Sequence, residues 1–245
     1  MTATDRLWCV VPAAGRGTRF GVGVRKQHAP LAGGTVLECT LLRLAGSGHV
    51  AGIVLVLAAE DREAWRTPDA VAIPVVTAAG GTVRSRSVRA GLAGLPDEVR
   101  PGDFVLVHDA ARPCIAASDI ARLIAEGAPA GGAVLAARVR DTVKRAGADQ
   151  RIVTTEPRDG LWRALTPQMF RRGELTDALE RAFADGIEVT DEAMAMERVG
   201  HHPLLVEGRD DNIKVTTAAD LELAADVLVR ERTRADPGNR TSVVE

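Results

Sequence analysis

Lysine is the scarce residue of this chain. Of its 31 basic side chains only three are lysines, Lys26, Lys144 and Lys214, and the rest are arginines. An arginine here therefore carries little information, and a lysine carries more. Cysteine is equally rare. Cys9, Cys39 and Cys114 are odd in number and far apart, with no CxxC spacing. That excludes a disulfide framework and a zinc ribbon, and leaves buried thiols in a reducing compartment. No apolar run approaches the ~20 residues that a membrane helix needs. The start, Met1 to Leu7, lacks the apolar stretch of a signal peptide. The expectation is a cytoplasmic protein with no membrane partner. Nor is there an excess of charge of one sign. The formal net charge is -2 over 245 residues, which disfavours a nucleic-acid binder while leaving room for a local basic pocket.

What is present is an ordinary globular balance, 46% hydrophobic and 26% charged, enough to bury a core without staples. Short apolar runs recur at Leu7–Val11, Ile53–Leu57, Ile73–Thr77, Phe104–His108, Ala133–Val139 and Pro203–Val206. Continuous runs of this kind suit strands covered on both faces. Helical patterns fall between them, at Val36–Leu44, Val83–Leu95 and Ser118–Glu126, the last with Ser118-Asp119 as its start. The alternation predicts an α/β fold around a mostly parallel sheet. One segment breaks the rhythm. Between Arg138 and Asp159, two polar extended stretches, Thr142–Arg145 and Arg151–Thr155, flank a turn, which reads as a β-hairpin projecting from the sheet. A lone ribbon is marginal in water, so this one is expected to pack on another subunit. Apolar residues at Leu221, Leu223, Ala224, Val227 and Leu228 predict a closing amphipathic helix over Thr217–Arg232. A frayed tail is expected over 233–245. The chain is thus a single domain over 1–232, with residues 138–159 as an arm.

A glycine-rich loop follows the first strand: Pro12, Ala13, Ala14, Gly15, Arg16, Gly17, Thr18, Arg19, Phe20, Gly21. Such loops at strand ends let backbone N–H groups approach phosphate oxygens without a Cβ in the way. It is neither of the two commonest phosphate loops. A dinucleotide fingerprint needs glycine where Phe20 stands, and a P-loop needs Gly-Lys-Ser/Thr. Lys26, a few residues on, is able to swing back over a phosphate. Asp109, after the Phe104–His108 run, is a candidate Mg²⁺ ligand or a turn cap. Gly80-Gly81 and Ser87 are placed to touch a base or ribose, or form a plain turn into a helix. Lys214 precedes the closing helix, with Thr216 or Thr217 as its cap. Thr190-Asp191-Glu192 reads as a helix start capped by Thr190. His201-His202 has no third ligand spaced for zinc and is assigned to the surface.

In this order, PAAGRGTRFG, KQ, GGTVRSRSV, HDAARP, RDTVK, LTPQ, TDEA and NIKVTTAADL resemble the 2-C-methyl-D-erythritol 4-phosphate cytidylyltransferases of the non-mevalonate isoprenoid pathway. The similarity runs from about Trp8 to Leu223. It implies a Rossmann-like nucleotidyltransferase fold with a β-arm, a homodimer, and Mg²⁺-dependent transfer of CMP from CTP to a sugar-alcohol phosphate. Carried over residue by residue, Pro12, Ala13, Ala14, Gly15, Gly17, Gly81, Ser87, Asp109 and Ala110 would line the nucleotide site. Arg19, Lys26 and Lys214 would be the catalytic charges, and Asp109 would serve the metal. Arg112, Thr142, Arg158, Thr166 and Thr190 would bind the acceptor, Thr142 and Arg158 from across the dimer. Three positions depart from the family pattern: Arg25 for proline, His28 for an aromatic, and Leu165 for glutamine. The same CTP loop would also serve a ribitol-5-phosphate cytidylyltransferase or a non-catalytic nucleotide sensor.

Overall fold

The computed structural model describes residues 6–15 and 25–235. The expectations for Gly17, Arg19 and the last ten residues lie outside these.

The chain forms β1 (Leu7–Pro12), a 3-10 turn (Lys26–His28), a short β2 (Pro30–Leu31) and β3 (Gly34–Thr35), α1 (Val36–Ala45), β4 (Val50–Leu57), α2 (Ala59–Ala64) and β5 (Val75–Ala79). Next come α3 (Arg84–Ala93), β6 (Phe104–Val107), α4 (Ala117–Gly127), β7 (Gly132–Arg138), β8 (Val143–Ala146) and β9 (Ile152–Glu156). β10 (Trp162–Arg171), α5 (Arg172–Ala184), α6 (Glu192–Arg198), β11 (Leu204–Glu207) and α7 (Ala218–Ala235) complete it. Seven strands make one sheet in the order β11-β7-β10-β6-β1-β4-β5. β10 runs antiparallel to both its neighbours, and the other pairs are parallel. The mostly parallel α/β reading is correct.

Side-chain alternation explains why the central strands β1, β4 and β6 are apolar throughout. Cys9 and Val11 of β1, Ile53, Leu55 and Leu57 of β4, and Leu106 of β6 join α1 and α4 in one core cluster. The residues between them, Val10, Val54, Val56, Val105 and Val107, join α3 and α5 in a second. A third, smaller cluster seats α7 through Ala224, Val227 and Leu228. Leu223, expected on that apolar face, is 49% exposed.

Local signals differ from expectation at several ends. α1 is capped by Thr35, whose hydroxyl accepts from the Glu38 N–H while the Glu38 carboxylate accepts from the Thr35 N–H. Ser118 and Asp119 fall inside α4, whose cap is Ala116 with no side-chain bond. Asp119 instead accepts the Arg209 N–H from the loop before α7. α6 is capped by Asp191 rather than Thr190, its carboxylate accepting from Met194 N. α7 starts at Ala218, one residue after Thr217, whose hydroxyl accepts from the Asp220 N–H as a cap does, and it continues past Arg232 to Ala235. β8 and β9 pair as an antiparallel ribbon apart from the main sheet. Among the described residues no helix is long and apolar enough to cross a membrane.

Candidate active site

The C-terminal ends of β1, β5 and β6 open on one cavity of about 300 Å³. Parallel sheets bind ligands at this edge because helix N-termini and loops gather there. Pro12, Ala13, Ala14 and Gly15 line it from β1, Gly81 and Ser87 from the entry to α3, and Asp109 and Ala110 from β6. Lys26 and Lys214 complete the wall. All the expected nucleotide-side residues that are described, together with two of the three lysines, therefore share one space. Glycine is required at its floor. A Cβ on Gly80 would lie 2.3 Å from the Ala14 Cβ, and one on Gly81 2.6 Å from the Arg86 Cβ. The Gly81 N–H donates to Ser87 Oγ at 3.1 Å, which fixes the turn into α3.

Gln27 attaches the lysine turn to the glycine loop. Its buried Nε2 donates to the carbonyls of Ala13 and Gly15, both at 2.9 Å. The departures at Arg25 and His28 meet on α2. Arg25 pairs with Glu60 and Asp61, and His28 Nε2 lies 3.8 Å from Asp61 Oδ2. An ion-pair clamp thus ties this turn to α2. Leu165, the third departure, is buried in the core.

Asp109 is the electrostatic centre. Its carboxylate receives Lys214 Nζ at 2.9 Å, Arg84 Nε at 3.0 Å and Arg112 Nε at 3.4 Å. Burial alone would push the Asp109 carboxyl up, but Arg84, Lys214 and Arg112 hold it well below the ordinary carboxylate range. Burial lowers the Arg112 guanidinium, and Asp109 opposes that shift. Arg112 is itself buried and donates to the Asn212 carbonyl at 2.7 Å. Thr166 is buried beside it. Its hydroxyl accepts the Asp109 N–H at 3.0 Å and contacts His108 Nδ1 at 3.0 Å. The Thr166–Pro167 peptide is cis. Asn212 Nδ2 donates to the Thr166 carbonyl at 2.8 Å.

None of the five acceptor-side candidates lines the cavity of this chain: Arg112 and Thr166 are buried against Asp109, and the other three lie at the surface. Thr142 and Arg158 are exposed beside the β8–β9 ribbon, where Arg158 donates to the Arg140 carbonyl. Thr190 is exposed at the entry to α6, its hydroxyl against Met194 Sδ. Lys144 bonds across the ribbon to Thr155 Oγ1. His201 and His202 are exposed, and all three cysteines are buried and free.

Sequence reasoning missed Gln27, Arg84, Glu192, His108 and Asn212. Gln27 carried no signal beyond adjacency to Lys26. Arg84 was one arginine among many, and Glu192 read as an ordinary first-turn acid. Among the described residues no group of three or more His, Cys, Asp or Glu side chains is arranged for a metal. Among the described residues Asp109 is the one carboxylate on the cavity wall, and both of its oxygens face cations. A single carboxylate would leave most ligands of a Mg²⁺ ion to substrate phosphates and water, the usual mode for that ion.

The family model described as 2-C-methyl-D-erythritol 4-phosphate cytidylyltransferase matches residues 7–230. A protein of that name from Xanthomonas campestris pv. campestris (strain 8004) is 58% identical over 221 residues, covering 89% of this chain and 83% of the relative. One from Xanthomonas oryzae pv. oryzae (strain PXO99A) is 56% identical over 218 residues, covering 88% and 79%. The crystal structure of the Francisella tularensis enzyme of the same name superposes with a TM-score of 0.77 at 33% identity, over 91% of this chain and 99% of that one. A 4-diphosphocytidyl-2C-methyl-D-erythritol synthase structure gives a TM-score of 0.78 at 35% identity, with the same coverage.

Proposed function

The chain belongs to the 2-C-methyl-D-erythritol 4-phosphate cytidylyltransferase family, and on that premise we propose that it transfers CMP from CTP to 2-C-methyl-D-erythritol 4-phosphate with release of pyrophosphate. The observation that supports this most is the meeting of Lys26, Lys214 and Asp109 with the glycine loop in one cavity. Net charge alone would have hidden so concentrated a cationic site.

The chemistry asks for positioning and charge neutralisation rather than for a strong base. A phosphate oxygen of the acceptor attacks the α-phosphorus of CTP in line, and pyrophosphate leaves from the opposite side. That oxygen is already a nucleophile near neutral pH, since the second phosphate pKa is about 6. The residues then have separable tasks. The backbone of Ala13 to Gly15, stiffened by Gln27, cradles phosphate oxygens. Gly81 and Ser87 set the nucleoside. Lys26 and Lys214 stabilise the negative charge that grows on the five-coordinate phosphorus. Mg²⁺, when bound with the triphosphate, adds further charge neutralisation there. Asp109 holds Lys214 in place and would be the carboxylate to help hold such an ion. Arg112, Thr166 and Thr190 form the acceptor side within the chain. Thr142 and Arg158 supply the rest from the β8–β9 arm of a second copy in a homodimer.

The deciding experiment is pyrophosphate release with purified protein, Mg²⁺ and each nucleoside triphosphate in turn. The acceptor is either 2-C-methyl-D-erythritol 4-phosphate or ribitol 5-phosphate. Turnover restricted to CTP and the methylerythritol phosphate is expected. Preference for ribitol 5-phosphate would reassign the acceptor, and absence of turnover with every pair would leave a nucleotide-binding module.

A further inference from the structure

Arg84 stands in the first turn of α3, on the wall of the cavity. Its guanidinium spans two carboxylates that are far apart in the chain. Nε donates to Asp109 Oδ1 at 3.0 Å, and the two terminal nitrogens donate to Glu192 Oε1 at 2.6 Å and Oε2 at 3.0 Å. Glu192 is the first residue of α6, just after the Asp191 cap and close behind Thr190. It is 1% exposed. A carboxylate so deep is stable only with its oxygens satisfied, and Arg84 reaches both. The other side of the α6 entry is held by Gln168. Its Nε2 donates to Asp191 Oδ2 at 2.9 Å, and its Oε1 accepts the Ala193 N–H at 2.8 Å. The start of α6 is therefore tied to β10 through Gln168, and to Asp109 through Arg84.

We infer that Arg84 and Glu192 are positioning residues for the transfer reaction: the bidentate Arg84–Glu192 pair fixes the guanidinium, which fixes Asp109, and through it Lys214, relative to Thr190. The inference rests on the reading of this cavity as the CTP site with Thr190 on the acceptor side. Its physical basis is competition for one carboxylate. Asp109 faces Arg84, Arg112 and Lys214 together. While Glu192 holds the end of the Arg84 fork, only Nε is left for Asp109. Without Glu192 the whole fork is free to turn on Asp109, where two parallel bonds would displace Lys214. A lysine at position 84 has the charge but not the planar fork, and does not bridge both acids in this way.

The test compares the full-length protein with Arg84→Lys, Glu192→Gln and the double variant. Thermal unfolding, pyrophosphate release at varied CTP and 2-C-methyl-D-erythritol 4-phosphate, and calorimetric binding of CTP with Mg²⁺ are measured on all four. Each single variant is expected to lower kcat roughly tenfold to a hundredfold, the scale of a displacement of about 1 Å at a reacting group. The double variant is expected to be no worse than the worse single one, because both changes cut the same link. A purely structural role would lower the unfolding temperature and leave kcat unmoved well below it. Single variants within twofold of wild type in kcat and in both KM values overturn the inference, as do losses that multiply in the double variant. If Glu192→Gln does not fold, Arg84→Lys decides alone, since that side chain is 27% exposed. If the wild type releases no pyrophosphate, the functional reading fails by itself. The positioning role is then decided by calorimetry. CTP affinity about fivefold weaker or more in the variants supports it, and unchanged affinity overturns it.

Discussion

Lys214 Nζ lies 2.9 Å from Asp109 Oδ2, and the two side chains differ sharply in exposure, 39% for the lysine against 9% for the aspartate. The aspartate is the buried anchor, and the ammonium is the member that faces the cavity. Removing the lysine leaves Asp109 with Arg84 and Arg112, so the fold survives. Lys214→Ala and Lys26→Ala are each expected to lower kcat by about a hundredfold or more, the cost of one preorganised donor at a developing charge. Lys214→Arg should restore little, because a planar fork does not follow phosphate oxygens as a point charge does. Pyrophosphate release by folded variants is the measurement. Near-wild-type turnover would remove the lysine from the reaction.

The β8–β9 ribbon is bare on both faces, with the successive residues Ile152 and Val153 at 66% and 68% exposure. A two-stranded ribbon in water is marginal by itself, and exposed β-branched side chains at its turn end favour a partner. Ile152→Asp combined with Val153→Asp is expected to shift sedimentation from dimer to monomer. It should also raise KM for the acceptor far more than KM for CTP, because Thr142 and Arg158 travel with the arm. Thr142→Ala should reproduce the kinetic effect without the change in mass. A monomeric wild type at micromolar concentration would refute the arm as a dimer contact, and equal changes in both KM values would refute Thr142 as an acceptor residue.

Most of the sheet was legible because the inner parallel strands β1, β4 and β6 are buried on both sides, so their runs of apolar residues have no polar interruption. β10 was not. It contains Pro167, its pairing is irregular between Ala164 and Gln168, and its ends carry Arg163 and Arg171. A central strand with proline within it has no distinct local signature. The cavity was legible through rarity, since Lys26 and Lys214 stood out in a chain that uses arginine nearly everywhere. For the same reason Arg84 stayed hidden, although it links two carboxylates. The cap of α6 went to Asp191 instead of Thr190 because both residue types cap helices, and only the tertiary bond from Gln168 to Asp191 separates them.

The cysteines should be unreactive in the native state. Burial pushes the Cys114 thiol up to about 12 and raises Cys9 and Cys39 as well. Thiolate, the reactive form, is therefore scarce at every site. An aromatic disulfide reagent at pH 8 is expected to label none of the three in the folded protein and all three after unfolding. Rapid labelling of folded protein would locate an opening motion around the labelled thiol.

His108 predicts the acid limit of stability. Its imidazole is fully buried between the Arg112 carbonyl and Thr166 Oγ1. Burial pushes its pKa down from 6.5 to about 4, against smaller opposing contributions from the Arg112 carbonyl and Asp109. The folded value is the lower one, so the unfolded chain binds the proton more tightly. The stabilisation is complete above pH 6.5 and is lost as pH falls from there toward 4, by about 3 kcal/mol over the window. Asp109, held low by its cations, contributes in the same sense but only below that window. Asp119, raised by burial, acts in the opposite sense at its acid end. Urea unfolding of wild type and His108→Gln between pH 7.5 and 4.5 reads the effect directly. The variant is expected to be less stable at neutral pH, through lost bonds to Thr166 and the Arg112 carbonyl, and to lack most of the downward slope. A variant with the wild-type slope would assign the acid sensitivity to another group.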